Sequence, residues 1–176
     1  LPKQATNKQT DQVISAHAAE VLCSLHDAGA DSPVHGTACL LNVPWGLAPL
    51  PSGDVLYACA ATHRVRKVTT AGVCTEWSTA STATQQIPRT LRYRAADNRV
   101  YFITNRAAIR YFALTDPSTS LLLVGDPAAT TYADTDGAGS SARFFATSIA
   151  FSIATGTMFL GDWNFGLVYE FGGTSD

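Results

Sequence analysis

The chain has 176 residues, 46% of them apolar and 15% charged, with a formal net charge of −2. That is the size and composition of one globular domain, and no apolar run reaches the roughly 18 residues that a membrane-spanning helix needs. The charge is uneven: residues 60–112 carry nine Lys and Arg against two acids, and residues 113–176 carry one Arg against seven acids. Such blocks are either alternating solvated surfaces or a basic face for an anionic partner.

Residues 1–18 are polar and aperiodic and read as an N-terminal arm. The chain opens on Leu1-Pro2 rather than Met, so its natural start is expected to lie elsewhere, and no compartment can be read from it. The first apolar run, Glu20 to Leu25, predicts a strand, followed by a loop holding Gly29, Pro33 and Gly36. A cassette then recurs three times. It begins at Pro44-Trp45-Gly46-Leu47-Ala48, at Pro88-Arg89-Thr90-Leu91-Arg92 and at Thr147-Ser148-Ile149-Ala150-Phe151. Each start leads through a Gly- or Asn-bearing turn into a second strand (Leu56-Tyr57-Ala58, Val100-Tyr101-Phe102-Ile103, Met158-Phe159-Leu160) and then a third (Val65–Val68, Ile109–Phe112, Phe165–Phe171). A fourth strand follows in the first two copies, Gly72–Trp77 and Ser120–Val124, and the third copy stops at Phe171. Gly and Asn tolerate the positive φ of tight hairpins, which assigns turns to Pro51–Asp54, Ala96–Asn98 and Thr155-Gly156. Short strands recurring every ~40–50 residues are the signature of propeller blades. The predicted fold is therefore all-β, a propeller of about three four-stranded blades at residues 43–77, 87–125 and 144–171, with an extra outer strand at 20–25.

The residues of the first copy carry a resemblance. Pro44-Trp45-Gly46-Leu47-Ala48, Leu56-Tyr57-Ala58-Cys59 and Thr62-His63-Arg64-Val65-Arg66-Lys67-Val68 resemble, at matching spacing, the three strands of an NHL repeat. In the third copy, Asp136-Gly137-Ala138-Gly139-Ser140-Ser141-Ala142-Arg143-Phe144 is similar to that family's lead-in loop, and Gly161-Asp162 to the end of its second strand. The middle copy departs from the pattern at Arg89–Arg92 and Thr104-Asn105. The resemblance covers residues 20–171 and implies an NHL-type propeller; it implies no single activity, because propellers host unrelated functions.

Candidate chemistry is sparse. Asp134-Thr135-Asp136-Gly137 looks like the opening of a calcium loop but lacks the later acidic ligands, and the lead-in loop accounts for the same residues as a turn. Cys23, His26, His35 and Cys39 offer zinc's preferred ligand types at a spacing unlike that of a finger. A Cys23–Cys39 disulfide is an alternative; four cysteines allow three complete pairings. Cys59 and Cys74 read as buried free thiols, and Trp45, Trp77 and Trp163 as core or inter-blade packing. No Gly-x-Ser-x-Gly elbow is present, and His63 reads as the repeat's own structural His. Propeller hydrolases and lactonases, which resemble this fold, hold metal on acidic or Asn residues at the inner-strand ends. The matching positions here are Trp45-Gly46, Arg89-Thr90 and Thr147-Ser148. No cofactor is implied.

The expected function is therefore a non-catalytic interaction module that recognises a protein through its loop faces. Arg89, Arg92, Arg94, Arg106 and Arg110 are the candidate partner-binding residues, with Arg64, Arg66, Lys67 and Arg99 completing the cationic stretch. Tyr93, Tyr101 and Tyr111 interleave with them, so the alternative is RNA binding through residues 64–110. A third reading is a piece of a metal-dependent propeller hydrolase or lyase. Complementary unfinished ends also suggest a homodimer, the 20–25 strand of one copy pairing with the last strand of the other to close a six-bladed ring.

Overall fold

A computed structural model describes residues 44–60, 62–79, 87–129 and 133–171. The polar arm at 1–18 and the strand at 20–25 lie outside the described residues. Among those described, the elements run β1 Pro44–Pro49, β2 Val55–Cys59, β3 Arg64–Val68, β4 Cys74–Thr79, β5 Pro88–Arg94, β6 Arg99–Thr104, β7 Ala108–Ala113, β8 Asp116–Gly125, β9 Ala146–Phe151, β10 Met158–Asp162 and β11 Leu167–Phe171, with one 3-10 turn at Gly139–Ser141. They form three antiparallel meanders: β1-β2-β3-β4, β5-β6-β7-β8 and β9-β10-β11, here blades 1 to 3. The inner strands β1, β5 and β9 lie side by side in that order.

The hairpins sit where turn chemistry places them. Gly53 (φ +86°) and Asn98 (φ +54°) take left-handed backbone at the first turns of blades 1 and 2, a region that Gly and Asn enter at little cost. The last strand, β11, begins at Leu167 rather than Phe165, and two outer strands also differ from expectation. β4 runs two residues past Trp77 to Thr79, and β8 begins at Asp116 rather than Ser120. The β8 difference has a local cause. Asp116 accepts hydrogen bonds from Ser118 N (3.2 Å) and Ser118 Oγ (2.6 Å), and Ala113 pairs with Asp116 across a tight turn. The polar residues 116–120 thus continue the outer strand instead of forming a loop.

Period-2 alternation explains the stacking, since neighbouring residues of a strand project to opposite faces. In β6, Val100 and Phe102 pack into a core shared with Leu56, Ala58 and Val65 of blade 1. Tyr101 and Ile103, one residue out of phase, pack into a second core with Ala146, Ile149, Met158 and Leu160 of blade 3. The middle blade is buried on both faces, which is why its strands read as continuous apolar runs. Full burial of Phe102 and Leu56 contributes about 1.5–3 kcal/mol each. Aromatic pairs join the elements: Phe102 with Phe112 at 5.9 Å, and Tyr101 edge-on to Phe151 at 5.1 Å.

Blade 1 buries its other face too, through Tyr57, Cys59, Val68 and Cys74. Cys59 is a buried thiol that forms no disulfide, as expected, but Cys74 is disulfide-bonded. Blade 3 is different on its far face. There the register sets Ala150 and Val168 beside Phe159 and Gly161, and Val168 is 74% exposed. The same face on blades 1 and 2 is covered by the next blade, so among the described residues blade 3 ends the stack, its far face mixing Ala150, Phe159 and Val168 with Ser148 and Glu170.

Candidate functional site

All three inner strands carry one irregularity, and it falls at the same place in each. The β1 ladder pairs Pro44 with Cys59 and Gly46 with Ala58, so Trp45 is an extra residue. The β5 ladder jumps from Pro88–Thr104 to Leu91–Phe102, setting Arg89 and Thr90 against Ile103 alone. The β9 ladder pairs Ala146 with Asp162 and Ser148 with Gly161, leaving Thr147 extra. A bulge leaves its extra residue out of the ladder and re-aims the side chain. Three bulges in register therefore build one ledge at the ends of the inner strands. The β2–β3, β6–β7 and β10–β11 turns lie at the same end, and the whole is called the entry face below.

The ledge is continuous. The Arg89 guanidinium stacks on Trp45, 3.6 Å from the ring centre. Thr90 Oγ1 donates to the Thr147 carbonyl (2.8 Å), and Thr147 Oγ1 donates to the Gly161 carbonyl (3.2 Å). Beside it, buried Asp162 organises the last turn. Its carboxylate accepts Phe145 N (2.6 Å), Asn164 N (2.9 Å) and Phe165 N (3.0 Å). The turn so held presents Trp163, 73% exposed, with Phe165. Phe145 lies 6.2 Å from the Trp163 ring, and Arg106 lies 4.7 Å over Phe145. Arg106 sits at φ +68°, a left-handed conformation that costs a non-Gly residue about 1 kcal/mol or more. That strain is retained where it sets a guanidinium against an aromatic ring.

Sequence reasoning grouped five arginines; the structure divides them among three places. Arg89 and Arg106 are on the entry face. Arg92 and Arg94 lie at the opposite end of blade 2. Arg110 is on β7, where Nη2 donates to the Ser120 carbonyl (2.8 Å) and Nε to Ser120 Oγ (3.2 Å); burial lowers its pKa. Other cations are paired: Arg64 with Glu76, Lys67 with Asp54 (3.7 Å) and Arg143 with Asp126 (3.2 Å). Trp45 and Trp163, read from sequence as packing residues, are exposed on the entry face, because the bulge and the Asp162 turn lift them out of the pleat. Trp77 does pack against a core, with Lys67 Nζ 4.4 Å from its ring centre.

The metal candidates separate as well. Asp134 accepts the Tyr169 hydroxyl (2.9 Å), and Asp136 is exposed in a loop closed by the Thr135–Arg143 bridge. Burial, then that bond to Asp134, drives the Tyr169 phenol far above its usual range. Among the described residues no three His, Cys, Asp or Glu side chains converge to hold a metal ion. Cys23, His26, His35 and Cys39 lie outside the described residues.

At the end opposite the entry face, Asp97 Oδ2 receives Arg94 Nη2 (2.5 Å) and the Tyr101 hydroxyl, and Arg99 lies 3.8 Å away. Burial works to raise the Asp97 pKa, but the Arg94 and Tyr101 hydrogen bonds prevail and hold it below the usual carboxylate value. Burial, then the bond to Asp97, pushes Tyr101 up to about 12.

No family model and no curated protein matches the sequence. The fold does match solved structures. An auxiliary nutrient binding protein from Bacteroides ovatus aligns with a TM-score of 0.57 at 15% identity, covering 77% of this chain and 37% of that one. A catalytically inactive H270A virginiamycin B lyase from Staphylococcus aureus with quinupristin gives 0.53 at 12% identity, covering 82% and 46%. A chain of the nidogen/laminin complex gives 0.51 at 13% identity, covering 70% and 41%. The chain thus spans less than half of each of these structures. Similar chains are propellers of six or seven blades, so three meanders stacked on their inner strands are a partial β-propeller.

Proposed function

We propose that this chain is an NHL-type propeller module, residues 19–176, that recognises a protein partner through its entry face without catalysing a reaction on it. One observation carries the reading: the in-register bulges of the three inner strands, which place Trp45, Arg89-Thr90 and Thr147 on a single ledge. Trp and Arg are the residue types that dominate binding energy at protein interfaces, and here they are preassembled as Arg89 on Trp45 and Arg106 on Phe145 beside Trp163. Preorganised side chains lose little entropy when a partner arrives. At the positions where propeller hydrolases carry metal ligands this chain has aromatic, guanidinium and hydroxyl groups, a set suited to contact rather than to Lewis-acid chemistry.

A second feature bears on assembly. Among the described residues no blade follows the far face of blade 3 and no strand pairs with the outer edge of β11, an open edge that suits further blades, and three blades are about half of the propellers that the chain matches in fold. A second copy or the remainder of a longer chain supplies them, and sedimentation equilibrium of the isolated chain separates the two by mass.

The recognition reading is tested with a photo-crosslinking amino acid placed at position 163 and, as a control, at position 119 on the outer strand, in extract of the source cells. Discrete protein adducts at 163 that disappear with Arg106→Glu support it. Equal adducts at both positions refute it. RNase-sensitive adducts whose yield falls steeply with salt would replace the protein partner with RNA.

A further inference from the structure

The cleft between blades 2 and 3, at the end opposite the entry face, has no role in the recognition reading. It is a half-open cleft of about 530 Å³ lined by Arg92, Tyr93, Arg94, Phe151, Ile153 and Gly156, among others, a volume within the usual range for small-molecule sites. Its chemistry is amphipathic. Phe151 forms an apolar wall on blade 3, with fully exposed Ile153 at its rim. Arg92 faces it from β5, exposed, and its guanidinium donates to the Leu91 carbonyl (2.9 Å), leaving most of its five donors without a protein acceptor among the described residues.

The floor is rigid. Arg94 bridges the blades by donating to the Gly156 carbonyl (3.2 Å) while paired with Asp97, and it lies 5.1 Å from the Tyr101 ring and 5.2 Å from the Phe151 ring. Among the described residues the local charges are Arg92, Arg94 and Arg99 against Asp97 alone, so the cleft they form is positive after its internal ion pairs are counted. A positive group at the mouth of an apolar pocket selects a ligand with an apolar body and one anionic end, and a planar guanidinium fork matches a carboxylate.

We propose that this cleft binds a small amphipathic carboxylate, its apolar body against Phe151 and Ile153 and its carboxylate on Arg92. The site is independent of the entry face and stands whether or not a protein partner binds there.

The test is isothermal titration of the full chain with 2-naphthoate and with the neutral 2-naphthalenemethanol. Naphthoate should bind with 1:1 stoichiometry and the alcohol at least about ten-fold more weakly, the scale of a charge-assisted hydrogen-bonded pair. Arg92→Gln should weaken naphthoate by a similar factor. Arg92 is exposed, so the melting temperature should hold; Ile153→Glu, which sets a charge like the ligand's on the opposite wall at an exposed position, gives an independent route to the same loss. Trp163→Ser, on the entry face, should leave binding unchanged. The proposal is overturned by equal affinity for acid and alcohol, by no heat at millimolar naphthoate, or by binding that survives both cleft variants.

Discussion

Substitution of Gly46 by Ala probes the contact on which the blade stacking depends. A Cβ added at Gly46 would lie 2.8 Å from Leu91 N and 2.8 Å from Thr90 Cα, and nearer still to the Arg89 carbonyl oxygen. All three are backbone atoms of β5, so no side chain can swing aside. Ordinary contact begins near 3.4 Å, and the inner strands of blades 1 and 2 must therefore part by at least 0.6 Å. That gap runs into the core of Ala48, Leu56, Val65, Leu91 and Phe102, whose members are all essentially inaccessible to solvent. Overpacking of a closed core costs about 1–3 kcal/mol, and strain taken by backbone lies toward the upper end. Gly46→Ala should then lower the unfolding free energy in urea by about 2–3 kcal/mol with little change in m-value. Gly156→Ala is the control: its Cβ meets nothing within 4 Å, and only its φ of +71° is penalised, at about 1 kcal/mol. If Gly46→Ala costs less than the control, blades 1 and 2 do not meet at their inner strands and the stacking is wrong.

Other expectations follow from single residues. Leu56→Asp should abolish cooperative unfolding, because an unpaired carboxylate in a sealed core costs several kcal/mol or more, whereas Trp45→Asp at a half-exposed bulge should leave a cooperative transition. Asp162→Ala should cost at least about 2 kcal/mol, having removed a charged acceptor from three backbone N–H groups, and should raise hydrogen exchange at Phe145, Asn164 and Phe165 first. Arg106→Gly relieves left-handed backbone but forfeits the contact with Phe145; stability should change by less than ~1 kcal/mol while crosslinking at 163 is lost. In pH titrations of stability, the lowered pKa of Asp97 makes its contribution full above the usual carboxylate value of 3.8 and lost as pH falls below it; Asp97→Asn should flatten that limb. On the alkaline side Tyr101, raised to about 12, binds its proton more tightly folded than unfolded. Stability should therefore decline between about pH 10 and 12, and less so in Tyr101→Phe.

The architecture was legible because blade geometry is written in local chemistry: short apolar runs such as Val100-Tyr101-Phe102-Ile103 recurring at a blade's spacing, and Gly or Asn at left-handed corners such as Gly53 and Asn98. The entry positions Trp45, Arg89-Thr90 and Thr147-Ser148 were legible as a matched set. Their role was not, because alternation cannot reveal a bulge; one extra residue per inner strand turned Trp45 from an expected packing residue into an exposed one. Trp163 escaped for a related reason, since its exposure depends on Asp162 gathering three backbone donors across the turn. The five arginines looked like one patch because they are close in sequence. Antiparallel meanders send residues three to fourteen positions apart to opposite ends of a blade, so Arg89 and Arg106 share the entry face while Arg92 and Arg94 share the opposite end. Cys74 was read as a free thiol because strand burial alone gives no sign of a covalent partner.

The bulged inner strands bring Trp45, Arg89, Arg106 and Trp163 to one face. A NOESY spectrum of the folded chain tests this arrangement directly. Arg89 side-chain protons should be shifted upfield by the Trp45 ring, with cross-peaks from Arg106 to the Phe145 ring and from the Gly46 α-protons to Thr90. A dispersed, folded spectrum in which Arg89 resonates at ordinary shifts and Gly46 shows no contact with Thr90 would contradict that arrangement.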